Sequence, residues 1–173
     1  MVEIQKYIRN IKDFPKDGIT FRDITPLLQN AKAFEQAIEK MANLVKDKKI
    51  DYFVGIESRG FIFASALSMI LSTGLVVIRK PGKLPYVTIN ASYNLEYGQD
   101  SLEIHKDAIS EGKRVIIVDD LLATGGTAEA AGNLIKQLNA DLIGYLFLIE
   151  LTALNGAEKL NSTNIWSVLK YSD

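Results

Sequence analysis

The sequence predicts an α/β fold in which a central, mainly parallel sheet is flanked by helices. Two observations carry that expectation. From about residue 33 onward, short apolar runs alternate with segments of helical periodicity, the pattern of βαβ units whose helices cover a parallel sheet. The runs themselves, such as VIIV at 115–118 and LIGYLFLI at 142–149, are continuously apolar rather than alternating, as strands buried on both faces must be.

The elements follow in order. MVEIQKYIRNIKDF reads as an amphipathic helix. Residues 11–30 carry two prolines, a glycine and several Asp and Thr residues, which suits a folded loop segment. Together, residues 1 to about 32 form a candidate hood. Residues 33–49 place Phe34, Ile38, Met41, Leu44 and Val45 on one helical stripe. DYFVGIE is a strand, FIFASALSMILS a buried helix, and GLVVIRK, 74–80, the next strand. RVIIVDD, AEAAGNLIKQLNA and DLIGYLFLIEL repeat the strand–helix–strand pattern, and IWSVLKY supplies a further strand. Residues 81–104 interrupt the alternation with two prolines, two glycines and β-prone spacing, ahead of a helix expected near 105. An excursion of that length in a compact domain is usually functional.

Composition excludes several classes of function. A chain of 173 residues has the length of one ordinary domain, enough to bury about 70% of the surface its unfolded form exposes. With 47% hydrophobic and 24% charged residues and a formal net charge of -1, nothing suggests a nucleic-acid or membrane partner. No cysteine is present, so disulfides, thiolate zinc sites and a Cys nucleophile are excluded together, in keeping with a reducing cytoplasm. His105 is the one histidine, which excludes a multi-histidine metal site. It follows Leu102 and Ile104 in an alternating run, which points it toward solvent and away from catalysis. No apolar segment reaches the roughly 18 residues of a membrane span. A soluble, cytoplasmic, single-domain protein is expected.

The chemistry concentrates in VIIVDDLLATGGTAEAA, residues 115–131. An apolar strand entering a glycine-containing turn and then a helix presents free backbone N–H groups where the helix dipole favours an anion. Thr124, Gly125, Gly126 and Thr127 are placed to cradle a phosphate. The segment is neither GxxxxGK[ST] nor GxGxxG, so a phosphomonoester fits better than a nucleoside triphosphate or a dinucleotide. Asp119 and Asp120, directly before the cradle, would repel a polyphosphate but can accept hydrogen bonds from vicinal sugar hydroxyls. The pairing suggests a ribose phosphate. The alternative on physics alone is a generic strand-to-helix turn with solvated acids.

VIIVDDLLATGGT resembles the phosphoribosyl-diphosphate motif of the type I phosphoribosyltransferases, and its DDLLATGGT version is similar to that of the members that use adenine. FPKDGITFRDITPLL resembles that family's base-covering segment, GIESRGF its diphosphate loop, and RKPGKLP with YNLEYGQDSLEIHKDAI its flexible catalytic loop, here about 81–104. The resemblance implies the type I phosphoribosyltransferase fold with a small N-terminal hood. It also implies transfer of a phosphoribosyl group from 5-phosphoribosyl 1-diphosphate to adenine, giving AMP and diphosphate in purine salvage, with Mg²⁺ held mainly by substrate and water, in a homodimer.

Carried over residue by residue, the resemblance assigns Arg59, Lys80 and Lys83 to the diphosphate, Asp119 and Asp120 to the ribose, and Ala123, Thr124, Gly125, Gly126 and Thr127 to the 5-phosphate. It assigns Phe21, the Arg22 backbone and Leu121 to adenine, and Glu96 to acid–base catalysis. Oxopurine enzymes of the family carry an aspartate where this chain has Ala123, so Ala123 favours the aminopurine. Two readings compete with this one: a hypoxanthine, guanine or xanthine transferase, and a non-catalytic sensor of phosphoribosyl diphosphate. Such sensors add a DNA-binding module, for which neither length nor charge leaves room.

Overall fold

The structure, a computed structural model, describes residues 2–94, 99–160 and 164–172. Its centre is a five-stranded parallel sheet formed by β3 (Tyr52–Ile56), β4 (Gly74–Ile78), β7 (Arg114–Leu122), β8 (Asp141–Leu151) and β9 (Ile165–Tyr171), in the order β4-β3-β7-β8-β9. The continuous apolar runs read from the sequence are these strands. Phe53, Val54, Ile116, Ile117, Leu146 and Leu148 are fully buried, because helices or a hairpin cover both faces.

One face carries α2 (Ala31–Val45) and α3 (Arg59–Leu71), whose Ala37, Met41, Val45, Phe63 and Leu67 pack with Phe53, Ile116 and Leu146. Asn30 starts α2 by accepting a hydrogen bond from the Ala33 amide through its side chain, 3.0 Å. The other face carries α4 (Gly126–Gln137) and an antiparallel hairpin, β5 (Thr88–Asn94) and β6 (Gln99–His105). Leu102 and Ile104 of the hairpin join Ile56, Ile78, Ile117 and Leu134 in the second core. The excursion expected over 81–104 is therefore a hairpin rooted in packed apolar side chains. Replacing Leu102 by Ala would cost ~2–5 kcal/mol.

A short antiparallel pair, β1 (Arg9–Ile11) with β2 (Phe21–Asp23), and α1 (Thr25–Gln29) build the hood. This corrects the helix expected at the N-terminus. Residues Ile4–Tyr7 make a single 3-10 turn. Ile4 and Ile8, one helical turn apart in sequence, are both buried, so the apolar stripe seals the core without a helix. The chain then pairs with β2, Arg9 opposite Asp23 and Ile11 opposite Phe21, and this tertiary pairing overrides the local periodicity. The loop expected at 11–30 likewise ends in β2 and α1, with Pro26 in the first turn of the helix. Nor does a helix follow β6. Residues 106–113 are turns, begun by the Lys106 amide donating to Val87, 2.9 Å, and the Ala108 amide donating to His105, 3.0 Å.

Candidate active site

The chain runs from β3 through α3 to β4 on one side, and then crosses to β7 on the other side of β3. The β3–β7 boundary is thus the point where the winding reverses, and in open α/β sheets ligands lie beyond the carboxyl ends of the strands there. A cavity of about 260 Å³ occupies that place. Its walls come from the ends of β3, β4 and β7 and from the turn entering α4.

That turn begins where β7 ends at Leu122. Gly125 sits at φ +84° directly before α4, a left-handed conformation that favours glycine. A side chain there would also strike the Gly156 carbonyl oxygen, and one at Gly156 would strike the Ala123 carbonyl oxygen. The turn is thus shaped by close approach of main chain to main chain, with α5 (Gly156–Lys159) behind it. Ala123, Thr124, Gly125, Gly126 and Thr127 all line the cavity, with the first turn of α4 directed into it, the arrangement that favours an anion.

Asp119 and Asp120 lie on the cavity floor. The Asp120 amide donates to Asp119 Oδ1, 2.9 Å. Desolvation, and then the charge of Asp120, push the Asp119 carboxyl well above its ordinary range. Desolvation also raises Asp120, while the Arg59 guanidinium opposes that shift. Arg59 Nε lies 3.0 Å from Asp120 Oδ2. Gly60 makes the approach possible, since a Cβ there would sit 2.6 Å from the Val118 carbonyl oxygen and 3.0 Å from Asp119 Oδ1. The missing side chain lets the start of α3, with Arg59, settle against the end of β7.

Lys80 enters from the end of β4. Its amide donates to Glu57 Oε2, 2.7 Å, and Arg79 Nε lies 3.3 Å from the same oxygen. Burial works to raise the Glu57 carboxyl, but these two partners outweigh it and hold it below the ordinary range. Glu57 thereby fixes the backbone of the RKPGK segment against the GIESRGF turn. The Glu57–Ser58 peptide is cis.

Of the residues expected in the site, Arg59, Lys80, Asp119, Asp120, Leu121 and 123–127 converge on this cavity. Phe21 and Arg22 stand beside it in the hood. The Arg59 guanidinium carbon lies 5.4 Å from the centre of the Phe21 ring, and that of Arg22 lies 4.2 Å from the centre of the Tyr171 ring. The Arg22 side chain, bonded to Asn10 Oδ1 at 2.7 Å, is thus engaged with the protein itself. Lys83 is exposed and outside the lining; its carbonyl accepts from Arg79, 3.2 Å. Glu96 falls outside the described residues. His105 is half-buried at an edge-to-face contact with Tyr86, centroids 6.1 Å apart, and does not line the cavity. Leu102 and Ile104 are fully buried beside it, as the alternation requires, but His105 does not point to solvent as the pattern suggests: its Nε2 is buried, with the ring against Tyr86.

Sequence reasoning assigned no role to Glu57, Tyr93, Asp100 or Gly156. The first two line the cavity. Their partners are distant in sequence, so no local pattern marks them.

Fold and site together define a transferase of the phosphoribosyl class, and residues 24–172 match the phosphoribosyl transferase domain. The chain is 53% identical to the adenine phosphoribosyltransferase of Halothermothrix orenii over 169 residues, covering 98% of this chain and 99% of that one. Its structure superposes on the crystal structure of adenine phosphoribosyltransferase from Thermoanaerobacter pseudethanolicus with a TM-score of 0.95, at 51% identity over 98% of both chains. Against the Saccharomyces cerevisiae enzyme, crystallised with D-2,5-dideoxy-2,5-imino-altritol 1,6-bisphosphate and adenine, the TM-score is 0.92 at 43% identity, over 96% of this chain and 97% of that one. The chain belongs to the phosphoribosyltransferase family, in its adenine phosphoribosyltransferase branch. It is a purine-salvage transferase that passes the 5-phosphoribosyl group of 5-phosphoribosyl 1-diphosphate to adenine, giving AMP and diphosphate.

Proposed function

We propose that the cavity at the β3–β7 boundary binds the phosphoribosyl diphosphate with its 5-phosphate on residues 123–127, its ribose hydroxyls on Asp119 and Asp120, and its diphosphate toward Arg59, Lys80 and Lys83. The observation that carries this reading is the junction of two adjacent carboxylates with a glycine-containing turn at a helix start, all lining one cavity. Adenine lies between Phe21 with the Arg22 backbone on the hood side and Leu121 on the other. Residues 1 to about 32 act as the hood, and about 81–104 as the catalytic loop of a single domain.

As the diphosphate leaves, positive charge develops on the ribose ring. Asp119 and Asp120 favour that charge electrostatically, while Arg59 and Lys80 take up the charge growing on the leaving group. Glu96, carried by the loop, exchanges a proton with the purine ring. Mg²⁺ supplies charge neutralisation on the diphosphate. Among the described residues no group of three or more His, Cys, Asp or Glu side chains could hold a metal. The donor set that fits is the substrate's own oxygens and water, beside the two aspartates.

The functional unit is a homodimer in the cytoplasm. Ile62, Met69 and Ile70 form an exposed apolar stripe along α3, next to exposed Leu75 on the edge strand β4, and such a patch suits a second copy. Among the described residues no helix is long and apolar enough to cross a membrane, and the lack of cysteine suits a reducing compartment.

Turnover of labelled adenine with phosphoribosyl diphosphate and Mg²⁺ tests the reading. Adenine is expected to exceed hypoxanthine in kcat/KM by up to ~10⁴-fold, the range open to a site built on specific hydrogen bonds. Equal values for the two bases would overturn the assignment of the base site.

A further inference from the structure

Tyr93 and Asp100 face each other across the β5–β6 ladder, the second pair in from residues 95–98. The Lys80 ammonium lies between them. It donates to the Tyr93 hydroxyl, 3.1 Å, and forms an ion pair with Asp100 Oδ2, while the Tyr93 hydroxyl donates to the same carboxylate oxygen, 3.1 Å. Asp100 Oδ1 accepts from the Ser101 amide, 2.8 Å. Lys80 and Tyr93 line the cavity, whereas Asp100 stands behind them.

The Lys80 backbone is pinned by Glu57, so only its flexible stem can redistribute. Hydrogen bonding to Lys80 holds the Asp100 carboxyl below the ordinary range. Burial opposes the charge on Lys80, but Asp100 and Tyr93 raise its pKa on balance. Asp100 therefore meets any anion in the cavity as a full negative charge competing for the same ammonium, and like charges sharing one counterion weaken each other's hold on it.

We propose that Asp100 is a positioning residue for product release: it holds Lys80 in the empty site, yields it to the diphosphate, and reclaims it as the diphosphate departs. The inference rests on the assignment of Lys80 to the diphosphate. It makes the second cross-strand pair below residues 95–98 sensitive to whether the diphosphate is present. The leaving group's grip on Lys80 is deliberately incomplete, so that turnover does not end in a tightly held product.

The test measures calorimetric affinity for inorganic diphosphate with Mg²⁺, together with steady-state and single-turnover rates, for the wild type, Asp100→Asn, Tyr93→Phe, Lys80→Met and the Lys80→Met/Asp100→Asn double variant. Asp100→Asn is expected to bind diphosphate about tenfold more tightly, at the lower part of the usual range of coupling between sites. Its kcat falls while the single-turnover rate stays at the wild-type level, so a burst of AMP appears. Tyr93→Phe, which keeps the ring and loses the hydroxyl's two hydrogen bonds, from Lys80 and to Asp100, moves in the same direction by less. In the Lys80→Met background, Asp100→Asn changes affinity less than in the wild type. Unchanged or weaker diphosphate binding by Asp100→Asn, with Lys80→Met clearly weakened, overturns the exchange alone. Wild-type affinity in Lys80→Met overturns the Lys80 assignment and the exchange with it.

Discussion

Arg59 Nε lies 3.0 Å from Asp120 Oδ2, joining the first residue of α3 to the buried carboxylate on the cavity floor. The charge of Arg59 holds Asp120 below where desolvation alone would put it. Removing it in Arg59→Gln raises the Asp120 carboxyl further. Because an ionised carboxylate accepts from ribose hydroxyls more strongly than a protonated one, the proposed ribose contact predicts that the acid limb of the kcat/KM profile for phosphoribosyl diphosphate moves to higher pH. KM for that substrate should rise as well, since the proposed binding mode gives the diphosphate to the Arg59 guanidinium. An unshifted acid limb would separate Asp120 from substrate binding.

The raised carboxyl of Asp119 carries a stability consequence opposite to its functional one. A carboxyl whose folded pKa lies above its unfolded value of 3.8 contributes stability that is fully present below 3.8 and is lost as pH rises through the folded pKa. Above pH 3.8 the buried carboxyl weighs against the fold. Asp119→Asn should therefore melt higher than the wild type at pH 7, by about 2–4 °C for each kcal/mol relieved, with the gap closing toward pH 4 and activity strongly reduced. Thermal melts across that pH range measure it. A lower melting temperature at pH 7 would show that the aspartate is stabilising.

Gly125→Val places a branched side chain at φ +84°, where it meets the Gly156 carbonyl oxygen. Affinity for phosphoribosyl diphosphate should fall below calorimetric detection with little change in circular dichroism. Gly156→Ala should act in the same sense from 31 positions away, because its Cβ meets the Ala123 carbonyl oxygen and lies 2.9 Å from the Gly125 nitrogen. Wild-type affinity in both variants would place the phosphate elsewhere.

Glu96→Gln should lower the single-turnover rate by ~10²-fold or more, the usual scale for a positioned acid or base, with KM for phosphoribosyl diphosphate little changed. A wild-type single-turnover rate would remove Glu96 from catalysis.

The parts of the fold legible in the sequence are those determined locally. DLIGYLFLIEL and IWSVLKY coincide with β8 and β9 at both ends: β8, covered on two faces, appears as a nearly unbroken apolar run, and the half-buried edge strand β9 as a short β-prone segment rich in apolar and aromatic residues. The strand–turn–helix over residues 114–137 was legible for a similar reason: strand, small residues and helix are contiguous in the chain. Ile4 and Ile8 misled because a spacing of four is equally served by a turn followed by a strand. Gly156 lies in NGAEK, where nothing nearby marks its partner as Ala123, and the cluster of Lys80, Tyr93 and Asp100 is assembled from β4's end and both strands of a hairpin. Such partnerships are made by tertiary packing and leave no periodicity to read.

The close approach of Gly125 to Gly156 also governs how this site can evolve. Its outline is set by one length of main chain resting on another, so exchanges at the neighbouring Thr124 and Thr127 that keep the turn would change the ligand's reception without redrawing the recess. Neither glycine has that liberty. A side chain at either one requires the facing main chain to retreat, and lineages descended from this sequence are accordingly expected to vary around the pair and hold the pair itself fixed.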